Sequence, residues 1–171
     1  MHAQVAILMG SDSDLSIMQD AAKTLESFSI SFSIDVISAH RTPDIAAVFA
    51  ANAHKKGIRV IIAAAGLAAH LAGAMAAHSP LPVIGVPIAG GTLGGFDAAL
   101  STLQMPPGVP VATVGINNAK NAALLAIQIL ATSNEQLLQK YIAYKKSEGD
   151  KVVEKSKKLQ ELGYKGYLEK K

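Results

Sequence analysis

Short apolar runs alternate strictly with stretches of helical periodicity along this chain, and that alternation leaves few folds open. The runs at 4–9 (QVAILM), 31–37 (SFSIDVI), 59–64 (RVIIAA), 82–87 (PVIGVP) and 109–116 read as five strands. Helical spacing spans 12–28, 44–56, 68–78, 96–103 and 119–131. In the first helical stretch Leu15, Met18, Ala22 and Leu25 share a face, behind the N-cap types Ser11, Asp12 and Ser13. Pro43 suits the first turn of the second, and Gly57 its end. The pattern predicts an α/β domain of the doubly wound class, with a parallel sheet covered by helices on both faces.

After residue 131 the chain changes character. Residues 135–162 are charged, with Leu137, Leu138, Tyr141, Val152, Val153, Leu159 and Leu162 as the apolar positions. This stretch reads as one or two surface helices packing on the body or on another subunit, too short to bury a core of their own. The expected organisation is a catalytic domain at 1–132 and a helical extension at 133–171.

Several function classes drop out on composition. The 171 residues contain no cysteine, which removes disulfides, thiolate metal sites and cysteine nucleophiles together. No basic segment followed by a long apolar one opens the chain. The most apolar stretch, 57–73, is interrupted by Arg59, His70 and three glycines, so a soluble cytoplasmic protein without membrane contact is expected. The net charge of +3 resides in the tail, where ten Lys oppose six Asp/Glu from residue 133 onward. With only 5% aromatic residues to stack bases, nucleic-acid binding is not expected.

In an open parallel sheet, ligands bind beyond the carboxyl ends of the strands. The loop after the first strand is Gly10-Ser11-Asp12-Ser13-Asp14. Its hydroxyls and helix-terminal amides suit a phosphate, and Asp14 suits ribose hydroxyls; simple capping by Ser11 or Asp12 is an equal reading. The loop after the second strand is Ser38-Ala39-His40-Arg41-Thr42-Pro43. Arg41 offers a planar fork to phosphate, and His40 can shuttle a proton near neutrality. The loop after the third strand runs Ala65-Gly66-Leu67-Ala68-Ala69-His70, where small residues leave backbone amides open to a small anion. His70 taken alone reads as an ordinary buried, hydrogen-bonded histidine. No loop or helix assembles three metal ligands, and no Walker lysine or dinucleotide fingerprint accompanies the glycines of 90–95. The residues alone thus lead to a phosphate-bearing small molecule in a cleft, with His40 as the proton carrier.

The ordered set MGSDSD (9–14), SAHRTP (38–43), GLAAHLAG (66–73), LPVIGVP (81–87), QMPPGVPVATVGI (104–116) and NAALLAIQIL (121–130) closely resembles the N5-carboxyaminoimidazole ribonucleotide mutase family over residues 3–132. The resemblance implies a flavodoxin-like three-layer sandwich with a five-stranded parallel sheet, assembled into a homo-octamer. The reaction it implies converts N5-carboxyaminoimidazole ribonucleotide to 4-carboxy-5-aminoimidazole ribonucleotide without cofactor or metal. On matching positions, Ser11, Ser13 and Arg41 would hold the 5′-phosphate and Asp14 the ribose. Ser38 and His40 would face the imidazole, with His40 as general acid and base, and Ala39 would belong to the same substrate-binding set. Ala65, Gly66, Ala68 and Ala69 would line the carbon dioxide pocket, beside His70.

A related carboxylase, which fixes carbon dioxide directly on aminoimidazole ribonucleotide, carries Ser-Asn-Gly where this chain has Ala69-His70-Leu71, so His70 favours the mutase. The family more often reads Gly-Gly-Ala-Ala-His-Leu-Pro-Gly. Here Leu67 and Ala72 replace the second glycine and the proline, and Leu67 is expected to narrow the pocket edge. A non-catalytic flavodoxin-like module binding a nucleotide is the reading from another class, and it gives the SAHRT segment no purpose.

Overall fold

Aliphatic residues buried on both faces form the centre of the sheet. β1 (Val5–Met9) and β4 (Val83–Ile88) are buried throughout, and β3 (Val60–Gly66) is buried up to its last two residues. β2 (Phe32–Val36) flanks β1, and the two-residue β5 (Ala112–Thr113) flanks β4. Every pairing is parallel and the order is β2-β1-β3-β4-β5, the flavodoxin-like arrangement. The computed structural model describes residues 2–170 and divides after Leu130 into two compact units.

The helices are α1 (Leu15–Ser27), α2 (Pro43–Asn52), α3 (Leu71–His78), α4 (Phe96–Leu103), α5 (Ala119–Ala131) and α6 (Glu135–Glu169). Because β2 lies on the far side of β1 from β3, right-handed crossovers put α1 on one face and α2, α3 and α4 on the other. Strand alternation matches this division. Ala6, Leu8, Ile61 and Ala63 share a core cluster with Ala46 and Ala50 of α2 and with Leu71, Ala72 and Met75 of α3. Helix α1 buries Met18, Ala21 and Leu25. Each large aliphatic side chain buried in this way contributes about 1.5–3 kcal/mol. Gly85 in β4 shows why small residues abound, since an added methyl group would meet Val111 at 3.0 Å and Ala72 at 3.3 Å.

Several boundaries differ from the sequence expectation, among them the end of the second helix, which stops at Asn52 and gives way to a 3-10 turn over Ala53–Lys56. The fifth strand, expected over 109–116, is cut short because Pro110 has no amide to pair and Asn117, at φ 58°, turns the chain away. The first helix is preceded by a 3-10 turn, Asp12–Asp14, capped by Ser11. The third helix begins at Leu71 instead of 68, because Leu67 is left-handed (φ 55°) and the His70 amide bonds back to the Ala68 carbonyl at 2.9 Å.

In the second unit, Asn134 caps α6 by accepting from the Leu137 amide at 3.0 Å. The helix breaks at Gly163, whose φ 63° and ψ 167° are open essentially to glycine alone. The tail therefore forms two helical pieces, the second only a few residues long.

Candidate active site

The parallel sheet brings the loops after β1, β2, β3 and β4 to one edge, where they enclose a cavity of about 570 Å³. Gly10, Ser11, Ser13 and Asp14 line it from the first loop, and Ser38, Ala39, His40 and Arg41 from the second. Ala65, Gly66, Leu67, Ala68, His70 and Leu71 complete the third side.

In the first loop the hydroxyls form a linked set. Ser11 Oγ accepts from the Ser13 amide at 3.3 Å, and the Ser13 hydroxyl faces Ser11 Oγ at 2.9 Å and Asp14 Oδ1 at 3.2 Å. Ser11 thus caps the turn and lines the cavity at once. Asp14 is only 8% exposed, and burial raises its carboxyl pKa above the ordinary value despite the bond from Ser13.

The second loop is held by its own polar groups. Thr42 Oγ1 donates to the Ser38 carbonyl at 2.9 Å and accepts from the Ser38 amide at 3.1 Å. Ser38 Oγ accepts from the Arg41 amide at 3.2 Å and from Arg41 Nε at 3.3 Å. Arg41 Nη2 donates to the Gly10 carbonyl at 3.0 Å, joining this loop to the first. A guanidinium carries five donors, so the fork retains N–H groups for an anion beside the Ser11–Ser13 hydroxyls.

His40 Nε2 lies 2.9 Å from His70 Nδ1, with the rings edge to face at 4.6 Å between centroids. His70 Nδ1 is also 2.8 Å from the Ala68 carbonyl. His70 is exposed and bonded within the cavity, in contrast to the buried histidine its residue pattern alone suggests.

The fold thus gathers Ser11, Ser13, Asp14, Ser38, Ala39, His40, Arg41, Ala65, Gly66, Ala68 and His70 around one cavity. Ala69 alone among the expected residues is off its wall, 1% exposed in the body. Sequence reasoning missed Ile88, Ala89, Gly90 and Gly91, which form the fourth side. Their signal was available, since the loop after β4 must reach the same sheet edge. Leu67 adopts a left-handed backbone that costs a non-glycine residue about 1–2 kcal/mol. Among the described residues no group of three His, Cys, Asp or Glu could hold a metal ion, and no helix is long and apolar enough to cross a membrane.

The pattern of the AIR carboxylase family matches residues 4–151. The chain is 52% identical over 168 residues to N5-carboxyaminoimidazole ribonucleotide mutase of Thermotoga maritima, covering 98% of each chain. It is 55% identical over 166 residues to the mutase of Pyrococcus abyssi, covering 97% of this chain and 95% of that one. The phosphoribosylaminoimidazole carboxylase of Schizosaccharomyces pombe is 52% identical over 163 residues, but these are 95% of this chain and only 30% of that longer protein. The crystal structure of Treponema denticola PurE superposes with a TM-score of 0.82 at 30% identity, covering 91% of this chain and 97% of that one. A family match over most of the chain, together with these relatives and the shared fold, places the chain in the AIR carboxylase family.

Proposed function

We propose that this chain is an N5-carboxyaminoimidazole ribonucleotide mutase of purine biosynthesis. One observation carries the reading: the mutases are matched along nearly their whole length at 52–55% identity. The direct carboxylases match at similar identity within much longer proteins, so identity alone does not choose between the two activities. His70 in the third loop favours the mutase.

The cavity suits the chemistry. Arg41 with the Ser11 and Ser13 hydroxyls would hold the 5′-phosphate, and Asp14 would accept from the ribose hydroxyls. Ser38, Ala39 and His40 would border the imidazole; Ala65, Gly66 and Ala68 would border the carboxyl group, with Ala69 supporting them from behind. His40 gives a proton to the carbamate nitrogen, the N–C bond breaks, and carbon dioxide and the free amine result. The electron-rich C4 then forms a bond to that carbon dioxide, and His40 takes the C4 proton as aromaticity returns. One proton is given and one is taken, so His40 ends as it began, with positioning supplying much of the rate. His40→Asn tests this role: turnover should fall by about two orders of magnitude or more with nucleotide binding kept. Near-normal turnover would remove His40 from the chemistry.

The same reading includes a cytoplasmic homo-octamer. Phe96, Leu100 and Leu103 lie four and three residues apart on α4 and are 62%, 42% and 60% exposed, an apolar stripe suited to burial against another copy. Light scattering checks it, with Phe96→Glu expected to lower the assembly mass.

A further inference from the structure

The loop after β5 lines no part of the cavity, yet one of its residues holds the cavity wall. Asn117 is left-handed at φ 58°, a conformation that Asn accepts more readily than most side chains do. A turn would ask no more of it. Its polar groups do more, because the Asn117 amide donates to the Pro87 carbonyl at 2.9 Å and Asn117 Oδ1 accepts from the Ala89 amide at 2.8 Å. One residue therefore grips the chain on both sides of Ile88, where β4 ends and the fourth side of the cavity begins.

These two bonds fix a peptide plane. A trans peptide sets its C=O and N–H on opposite sides, so an Ala89 N–H committed to Asn117 turns the Ile88 carbonyl the other way. It turns toward Gly66, which pairs with Ile88 in the sheet register. A methyl group built on Gly66 would lie 3.2 Å from the Ile88 oxygen and 3.9 Å from its carbonyl carbon. On another side Ala89 is confined by Gly95, whose methyl would meet Ala89 Cα and Ile116 Cγ2, both at 2.9 Å. The Ser11, Ser13, Ser38 and Arg41 contacts described above involve neither Asn117 nor this wall. Asn117 is itself exposed, so its replacement opens no core.

We propose that Asn117 is a positioning residue for the carboxyl side of the cavity, fixing the Ile88–Ala89 peptide against Gly66 through its bond to the Ala89 amide. The inference rests on the mutase reading, in which Gly66 borders the carboxyl group that leaves N5 and bonds to C4. A small displacement of that wall changes where the carboxyl group sits relative to C4, while the phosphate-side loops keep their own bonds.

The test compares two nucleotides that differ only by the carboxyl group. The full-length protein, Asn117→Gly and Asn117→Asp are titrated calorimetrically with 4-carboxy-5-aminoimidazole ribonucleotide and with aminoimidazole ribonucleotide. Turnover of N5-carboxyaminoimidazole ribonucleotide and urea midpoints are measured beside them. Glycine accepts the left-handed backbone and keeps the amide bond to Pro87, so Asn117→Gly removes the Oδ1 acceptor alone; Asn117→Asp keeps an acceptor of the same shape. Asn117→Gly should lower kcat and the affinity for the carboxylated nucleotide by about three- to tenfold each, the worth of one hydrogen bond. Its affinity for aminoimidazole ribonucleotide should change by less than about twofold, and its urea midpoint should stay near the parent's. Asn117→Asp should recover most of the loss. Parent-like kcat and affinities in Asn117→Gly, or equal losses for both nucleotides, overturn the role of Asn117 and leave the mutase standing. Failure of the parent to form product from N5-carboxyaminoimidazole ribonucleotide overturns the mutase reading, and the inference with it.

Discussion

His70 Nδ1 lies 2.9 Å from His40 Nε2 and 2.8 Å from the Ala68 carbonyl, so one ring nitrogen serves two neighbours. A carbonyl supplies no proton. The arrangement that satisfies both contacts puts the proton on His70 Nδ1 and makes His40 Nε2 an acceptor. The contact holds the His40 ring in a defined orientation. His70→Asn should leave KM nearly unchanged and lower kcat by about tenfold, the worth of one orienting hydrogen bond. The pH profile of kcat should broaden or shift as well. A variant with parent-like kcat and pH profile would show that His40 needs no such partner.

Arg41 joins two loops through Ser38 and the Gly10 carbonyl, and it lines the same cavity as Ser11 and Ser13. Arg41→Ala should weaken binding of the phosphorylated nucleotide by about ten- to a hundredfold, as expected for a lost charge-assisted contact. Arg41→Lys should recover little, since an ammonium cannot make the forked contacts. Calorimetric titration with substrate or product reads both, and unchanged affinity in Arg41→Ala would make the residue purely structural.

Asp14 makes stability depend on pH. Burial raises its pKa in the folded protein above the unfolded value, so the native state binds this proton more tightly than the unfolded chain. Its contribution is therefore most favourable below the unfolded pKa. It declines as pH rises through the raised native value, above which a buried charge must be sustained. Asp14→Asn should unfold at higher urea than the parent near about pH 7, with the difference closing toward about pH 3.5. The same variant should lose nucleotide affinity by about tenfold. Equal urea midpoints at both pH values would contradict the assignment.

Two adjacent glycines in the fourth loop separate backbone strain from steric conflict. Gly94 is left-handed (φ 58°) with nothing within 4 Å of an added methyl group. Gly95 is also left-handed (φ 91°), and its methyl would meet the Ala89 backbone and Ile116, both at 2.9 Å. Gly94→Ala should destabilise by about 1 kcal/mol, and Gly95→Ala by about 2–4 kcal/mol, because backbone cannot move aside as a side chain can. Urea midpoints measure the difference.

Much of this was legible in the sequence because it follows from periodicity and local chemistry. The α4 and α5 ranges coincide with the helical patterns at 96–103 and 119–131, and the continuous apolar runs of β1, β3 and β4 mark a sheet buried on both faces. The SAHRTP loop was marked by its residue types. What stayed hidden depends on tertiary placement. The pairing of His40 with His70, thirty residues apart, requires β2 and β3, on either side of β1, to bring the second and third loops to one edge. Ala69 looks like its neighbour Ala68, and only the turn set by left-handed Leu67 sends one to the cavity and the other into the body. The close approach of Leu67 to Gly91, where an added methyl group would fall 2.7 Å from Leu67 Cδ2, joins two loops that no local pattern links.

The central claim is the mutase activity, and turnover with two substrates in parallel tests it most directly. One reaction contains N5-carboxyaminoimidazole ribonucleotide; the other contains aminoimidazole ribonucleotide with bicarbonate. The account predicts rapid conversion of the first, with the second active only at high bicarbonate. Preferential use of aminoimidazole ribonucleotide with bicarbonate would contradict it and make the chain a direct carboxylase.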